Sequence, residues 1–299
     1  MFAGMARFHS AARTDVGMKR EHNEDSFLVN EDLGLYVVCD GMGGHAGGET
    51  ASRLAVQTIE KELISARLRV DDPFSARAEL AESPLAGALR EAVEGACAAV
   101  FHTSRANPEL AGMGTTCISL LLNADQALVG HVGDSRAYLV RDGQVWQLSE
   151  DHSLVNEQVR AGLLTDEEAR HSRLKNIITR SVGFEEDVLV DVIGVETRAG
   201  DKFLLCSDGL SNVIEAEEIR DALTHTDIDK VPEVLIDLAN SRGGEDNITV
   251  VLYAARRGLG LADLRRNIVN VVLAVLVASV VVGTIAALVF ASGAYPVAR

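Results

Sequence analysis

Apolar and polar positions change over at short intervals along most of the chain. Residues 26–29, 35–39, 115–122, 127–132, 136–140, 145–148, 188–195, 202–206 and 248–254 form brief runs rich in β-branched and apolar side chains. Each is bounded by Gly, Asp or Asn, and each predicts a strand. Turns at Asp142-Gly143 and Asn123-Ala124-Asp125 separate runs of hairpin length, which predicts an antiparallel meander over residues 115–148. Longer helical stretches follow one another at 49–67 and 84–104, and two more lie at 215–223 and 231–241. Strands in runs and helices in pairs predict an α+β fold with helices on the outer faces of antiparallel sheets. Residues 156–175 are helical, polar and rich in charge, as expected of a surface excursion between strands. Trp146, the sole tryptophan, is expected in the core of the meander.

The pattern changes completely near the C-terminus. Residues 268–291 carry no charge, and Asn270, Ser279 and Thr284 are their only polar side chains. As a helix this stretch would measure about 36 Å, against a hydrocarbon core of about 30 Å, and core helices rarely stay apolar on every side for that length. It reads as a membrane span. Arg256, Arg257, Arg265 and Arg266 precede it and only Arg299 follows, so the positive-inside rule places the preceding domain in the cytoplasm. The predicted organisation is a domain over 1–255, a basic juxtamembrane linker over 256–267 that faces anionic lipid, a single span over 268–291 and a short external tail over 292–299.

Charge removes one class of function. Residues 1–255 hold 23 basic against 43 acidic side chains, and a body that acidic repels a phosphate backbone, so no nucleic-acid partner is expected. Cys39, Cys97, Cys117 and Cys206 are far apart and form no C-x-x-C, so they read as small buried hydrophobes.

The candidate chemistry is acidic. Asp25, Asp40, Asp134, Asp208 and Asp246 each stand at the edge of an apolar run beside Gly or Asn. Any one of them is a common turn residue. Five together are different, because strand ends can meet at one rim of a sandwich, where carboxylates repel unless cations lie between them. Oxygen ligands without paired His or Cys select Mg²⁺ or Mn²⁺ over Zn²⁺. Gly41 and Gly209 permit close backbone approach, and the Gly41 carbonyl offers another oxygen. Two such cations activate water at neutral pH and clamp phosphoryl oxygens, and Arg20 is the candidate grip on the phosphate.

Eight strings in order carry a resemblance over residues 10–255. They are TDVGMKREHNED from Thr14, VVCDGMGGHAGGE from Val37, MGTTCISLLL from Met113, GHVGDSRAYLVRDG from Gly130, SEDHSLV from Ser149, NIITRSVG from Asn176, LLCSDGLSNVI from Leu204 and GGEDNITVVL from Gly243. Together the chain closely resembles the metal-dependent protein phosphatases of type 2C in their bacterial form. The resemblance implies an α-β-β-α architecture, a central β-sandwich of two antiparallel sheets flanked by helix pairs, with two Mn²⁺ or Mg²⁺ ions at one end. It implies that Asp40 bridges the ions, that Gly41 adds its carbonyl and that Asp208 and Asp246 hold the second ion. Asp25 and Glu24 would act largely through water, Asp134 with Asp208 would take a third, weaker ion, and Arg20 would bind phosphate. Residues 156–175 match the flap beside the site.

The implied activity is hydrolysis of phosphoserine and phosphothreonine in proteins by a metal-bridged water, without a covalent phosphoenzyme. The implied partners are phosphoproteins and a cognate Ser/Thr kinase, met at the membrane. The alternative is a phosphatase-like adaptor without turnover. Met42 stands where the animal enzymes carry a His proposed as general acid. The acid is therefore unassigned, with His45 nearby and His131 and His152 expected to be structural.

Overall fold

The computed structural model describes residues 9–43, 46–67, 80–123 and 126–255. His45, Ala124, Asp125 and everything from residue 256 onward, including the expected linker, span and tail, lie outside the described residues. No helix among the described residues is long and apolar enough to cross a membrane.

The first two hairpin-linked strands of the site face are β2 (Asp25–Asn30) and β3 (Leu35–Met42), preceded by β1 (His9–Asp15). After two long helices come β4 (Gly114–Thr115), β5 (Cys117–Asn123), β6 (Gln126–Val132), β7 (Arg136–Arg141) and β8 (Gln144–Gln147). The remaining strands are β9 (Asp191–Glu196), β10 (Lys202–Cys206) and β11 (Ile248–Ala254). They form one sheet in the order β1-β11-β10-β7-β8 and a second in the order β2-β3-β5-β6-β9, with β4 attached to β3. Every strand pair is antiparallel.

Strand β3 shows why the sheets stack. Its side chains alternate, so Leu35, Val37 and Cys39 enter one apolar cluster while Tyr36 and Val38 enter another. Both faces are buried, which accounts for a continuous apolar run where a half-exposed strand would alternate. The cluster between the sheets joins Tyr36, Val38, Ile118, Leu120, Phe203, Leu205 and Val251. Outside the second sheet lie α1 (Gly47–Arg67) and α2 (Pro84–Ala106). In α1 the buried stripe is Ala51, Ala55, Ile59 and Leu63, one residue per turn. Ser83 caps α2, its Oγ accepting from the Ala86 amide at 3.2 Å, and Pro84 occupies the first turn, where its missing N–H costs nothing.

The connection from β8 to β9 contains α3 (Leu154–Arg160) and α4 (Asp166–His171), so the helical excursion expected over 156–175 consists of two short helices. The other sheet is covered by α5 (Asp208–Ser211), α6 (Ala216–His225) and α7 (Val231–Ser241), through Ile219, Leu223, Leu235, Ile236 and Ala239. The α-β-β-α order of layers is therefore present. All four cysteines are buried and unpaired.

Three expectations need correction. The meander is split, because β6 belongs to one sheet and β7 to the other, and Gly133-Asp134-Ser135 crosses between them. That crossing is what carries Asp134 to the rim. Trp146 is 42% exposed, because β8 is an edge strand. The strand expected over 188–195 begins only at Asp191.

Candidate active site

The five aspartates stand at one end of the sandwich: Asp25 opens β2, Asp40 lies near the end of β3, and Asp134 is in the inter-sheet crossing. Asp208 opens α5 directly after β10, and Asp246 lies two residues before β11. In the antiparallel register Asp25 sits directly opposite Asp40. Strand pairing alone thus sets two carboxylates side by side.

Asp25, Asp40, Asp208 and Asp246 are held by polar contacts of their own. The backbone of Asp40 is fixed on both sides: its N–H donates to Thr116 Oγ1 at 2.9 Å, and its carbonyl accepts from the Thr116 amide and Thr115 Oγ1, both at 2.8 Å. Asp25 is buried; its Oδ2 accepts from Thr249 Oγ1 at 2.6 Å and Ser207 Oγ at 2.8 Å, while its Oδ1 is buried without a partner. Asp208 repeats the pattern, with Oδ2 accepting from Asn212 Nδ2 at 2.9 Å and Oδ1 buried without a partner. Asp246 accepts from Arg20 Nη2 at 2.7 Å and from the Asn247 amide at 2.8 Å.

Gly41 and Gly209 are the close approaches expected of them. A Cβ on Gly41 would collide with the Gly48 and Glu24 carbonyl oxygens, and one on Gly209 with the Asn247 carbonyl oxygen.

Asp25, Asp40, Asp134 and Asp208 resist ionisation. Burial pushes Asp25 up to about 7, against its two hydrogen bonds and with help from the negative charges of Asp208 and Asp246. Burial also drives Asp40 well above the carboxylate range, with Asp25, Asp208 and Asp134 adding repulsion. Asp134 is pushed up to about 8 by burial, then by Asp208 and Asp151, and Asp208 is raised by burial and Asp246. A cluster that shares this much unfavourable charge, with two orphaned carboxylate oxygens inside it, matches hard divalent cations. Among the described residues no group of three or more His, Cys, Asp or Glu side chains is already drawn together around a metal-sized space.

The cleft above the aspartates has a volume of about 630 Å³ and is lined by Arg20, Glu24, Asp40, Gly41, Asp134, Asp208 and Asp246. Asp25 does not line it, although it pairs with Asp40 across β2 and β3. Glu24 also approaches the backbone of Gly48, and its own amide donates to Asn247 Oδ1 at 2.8 Å. Met42 faces the cleft, as do Lys19, His22 and Thr116, which sequence reasoning left without a role.

It also missed Asn247. The Asn247 Nδ2 donates to the Val16 and His22 carbonyls, both at 2.9 Å, and so clamps the segment carrying Arg20 to the Asp246 loop. Its position directly after Asp246 was the available signal. His131 and His152 are buried with their rings tilted against each other, centroids 4.5 Å apart, and neither lines the cleft.

With this geometry in view, the match to known proteins is decisive. The chain belongs to the protein phosphatase 2C family, whose model matches residues 18–245, and it is a protein phosphatase. It is similar to the serine/threonine phosphatase stp of Listeria welshimeri, 38% identical over 248 residues that cover 82% of this chain and 94% of that one. Similarity extends to the serine/threonine protein phosphatase PstP of Mycobacterium tuberculosis, 38% identical over 81% of this chain and 44% of that longer protein. Among solved structures, that of Mycobacterium tuberculosis PstP/Ppp superposes with a TM-score of 0.71 at 36% identity, covering 83% of this chain and 99% of the other. The PstP catalytic domain in complex with two manganese ions gives a TM-score of 0.69 at 36% identity, over 83% and 98% of the two chains. Phosphatases of this family use Mn²⁺ or Mg²⁺, and the donor set here suits either.

Proposed function

We propose that this chain hydrolyses phosphoserine and phosphothreonine in proteins while anchored to the membrane with its catalytic domain in the cytoplasm, opposing a Ser/Thr kinase. The observation that carries the chemistry is the acidic rim of Asp40, Asp134, Asp208 and Asp246 lining a cleft that also holds Arg20, with orphaned carboxylate oxygens on Asp208 and on the buried Asp25. Asp40, Asp208, Asp246 and the Gly41 carbonyl would hold two cations, with Glu24 in the cleft lining and Asp25 beside Asp40 acting largely through water. Asp134 and Asp208 also line a neighbouring cavity of about 940 Å³ and would take a third, weaker ion. When bound, the ions supply Lewis acidity that lowers the pKa of coordinated water and offsets charge on the phosphoryl oxygens.

The chain's own residues position the substrate. Arg20 spends one N–H on Asp246 and keeps its remaining donors for phosphoryl oxygens. Met42 brings no titratable group to the cleft, so the leaving group does not take its proton from that position.

Support for the anchor is the uncharged stretch over 268–291 and the four arginines before it. An anchor of that kind raises the effective concentration of the enzyme near membrane-bound phosphoproteins, and its arginines contact lipid headgroups. The test uses the full chain in isolated membranes with a phosphothreonine peptide. Expected are hydrolysis with Mn²⁺, its loss in excess chelator, and a protein that sediments with membranes and moves to the soluble fraction when residues 256–299 are deleted. Turnover that persists in chelator would overturn the chemistry, and a soluble full chain would overturn the anchor.

A further inference from the structure

Met42 and Ile178 line the active-site cleft and also a second depression of about 490 Å³ that continues from it. This groove is walled by Phe184, Val188 and Leu189. Phe184 is 71% exposed and Leu189 67% exposed, so two large apolar side chains stand in water beside the cleft without contributing to the core.

The segment that displays them is tied down. Val182 and Thr115 exchange backbone hydrogen bonds of 2.8 and 3.0 Å. The Gly183 amide donates to Cys97 Sγ at 3.1 Å, and Cys97 Sγ donates to the Glu185 carbonyl at 3.2 Å. Arg180 Nη1 donates to the Leu189 carbonyl at 3.2 Å and to Asp191 at 3.0 Å. Apolar side chains on a braced backbone bind with little ordering cost. The charge on the lining is acidic, since Glu185 and Asp187 contribute carboxylates while the Arg180 guanidinium is occupied by Asp191.

A phosphoresidue inside a polypeptide enters the cleft with chain on both sides, and the chain must leave along the surface. We propose that this groove is one of those exits, a docking channel for the substrate polypeptide that favours an apolar side chain near the phosphoresidue and basic over acidic neighbours. Continuity with the cleft through Met42 and Ile178 singles out that occupant. The inference rests on the phosphatase reading and adds sequence selectivity to it. Phe184 and Leu189 are specificity-determining residues; they take no part in bond breaking.

The test compares two phosphothreonine peptides on the full chain with Mn²⁺, one flanked by Leu and Arg and the other by Ser and Glu, with p-nitrophenyl phosphate as a substrate that cannot reach the groove. Expected is a preference of about tenfold in kcat/KM for the first peptide, carried by KM. The double variant Phe184→Ala, Leu189→Ala should lose most of it at unchanged p-nitrophenyl phosphate turnover. Both side chains are exposed, so the fold should tolerate the change. A wild type that treats the peptides alike, or a double variant that keeps the preference, would overturn the inference while leaving the phosphatase intact. A double variant that alters only the oligomeric state, with unchanged peptide kinetics, would identify the groove as a contact between copies and also overturn it. Failure to hydrolyse p-nitrophenyl phosphate at all would show instead that the phosphatase reading had failed, and this inference with it.

Discussion

Arg20 Nη2 donates to Asp246 Oδ2 at 2.7 Å, across 226 positions of sequence. The bond joins the cationic side of the cleft to its anionic rim, and it is partly exposed, with the side chains 49% and 28% accessible.

An exposed ion pair contributes about 1 kcal/mol or less to stability, so Arg20→Ala should barely shift thermal unfolding. Loss of a charge-assisted grip on phosphate is larger, about 10- to 100-fold in kcat/KM on a phosphothreonine peptide. Arg20→Lys should recover only part of it, because an ammonium cannot serve Asp246 and phosphate with one planar fork. Steady-state kinetics and calorimetry on the same variants check this split; unchanged kcat/KM would remove Arg20 from phosphate binding.

Asp134 gives a prediction with a sign. Its folded value of about 8 lies above the unfolded 3.8, so the fold keeps a proton that the unfolded chain has released. The favourable contribution is complete below about pH 4 and is lost as pH rises through about 8. In chelator, Asp134→Asn should therefore gain stability over wild type as pH rises from 5 to 8. The gain is on the order of 2 kcal/mol, after allowing for the solvent that reaches this side chain. Saturating Mn²⁺ should shrink that advantage. Denaturant titrations at several pH values decide it, and a difference that does not vary with pH would contradict the account.

His131 points the opposite way. Burial, and then the neighbouring His152, lowers it to about 3 from 6.5, so the unfolded chain takes up a proton first on acidification. Stability from this site is complete above about pH 6.5 and is lost as pH falls toward 3. Phe fills a similar space without titrating. Relative to wild type, His131→Phe should gain about 2 kcal/mol between pH 7 and pH 5. The functional link is the turn at Gly133, whose amide donates to His152 Nδ1 at 3.1 Å while His152 Nε2 bonds Asp191 at 3.0 Å. Urea midpoints for the two proteins at pH 5, 6 and 7 test this, and parallel midpoints would exclude His131 as the acid-sensitive group.

The layers of this fold were legible because the central strands are apolar on both faces and α1 repeats its buried Ala51, Ala55, Ile59 and Leu63 at helical spacing. Strand β1 was not, since His9–Asp15 is half-buried at the edge of its sheet, polar in sequence, and paired with β11 from the far end of the domain. Trp146 misled for a related reason: aromatic character favours a strand but does not say whether that strand is central. For the site, all five aspartates were marked locally by their place at the edges of apolar runs, and motif order supplied their roles. What no local pattern carries is the approach of Arg20 to Asp246 or the support of Asp25 by Ser207 and Thr249, since those contacts exist only once the sheets have stacked.

Every step of the proposed hydrolysis depends on capture of divalent cations by the acidic rim. Anomalous diffraction at the manganese edge from a Mn²⁺-soaked crystal of the domain tests it most directly. Two strong peaks are expected in the cleft, contacting Asp40, Asp208 and Asp246, with the second contact set lost in Asp246→Asn. An empty rim at saturating Mn²⁺, or manganese bound only elsewhere on the molecule, would contradict it.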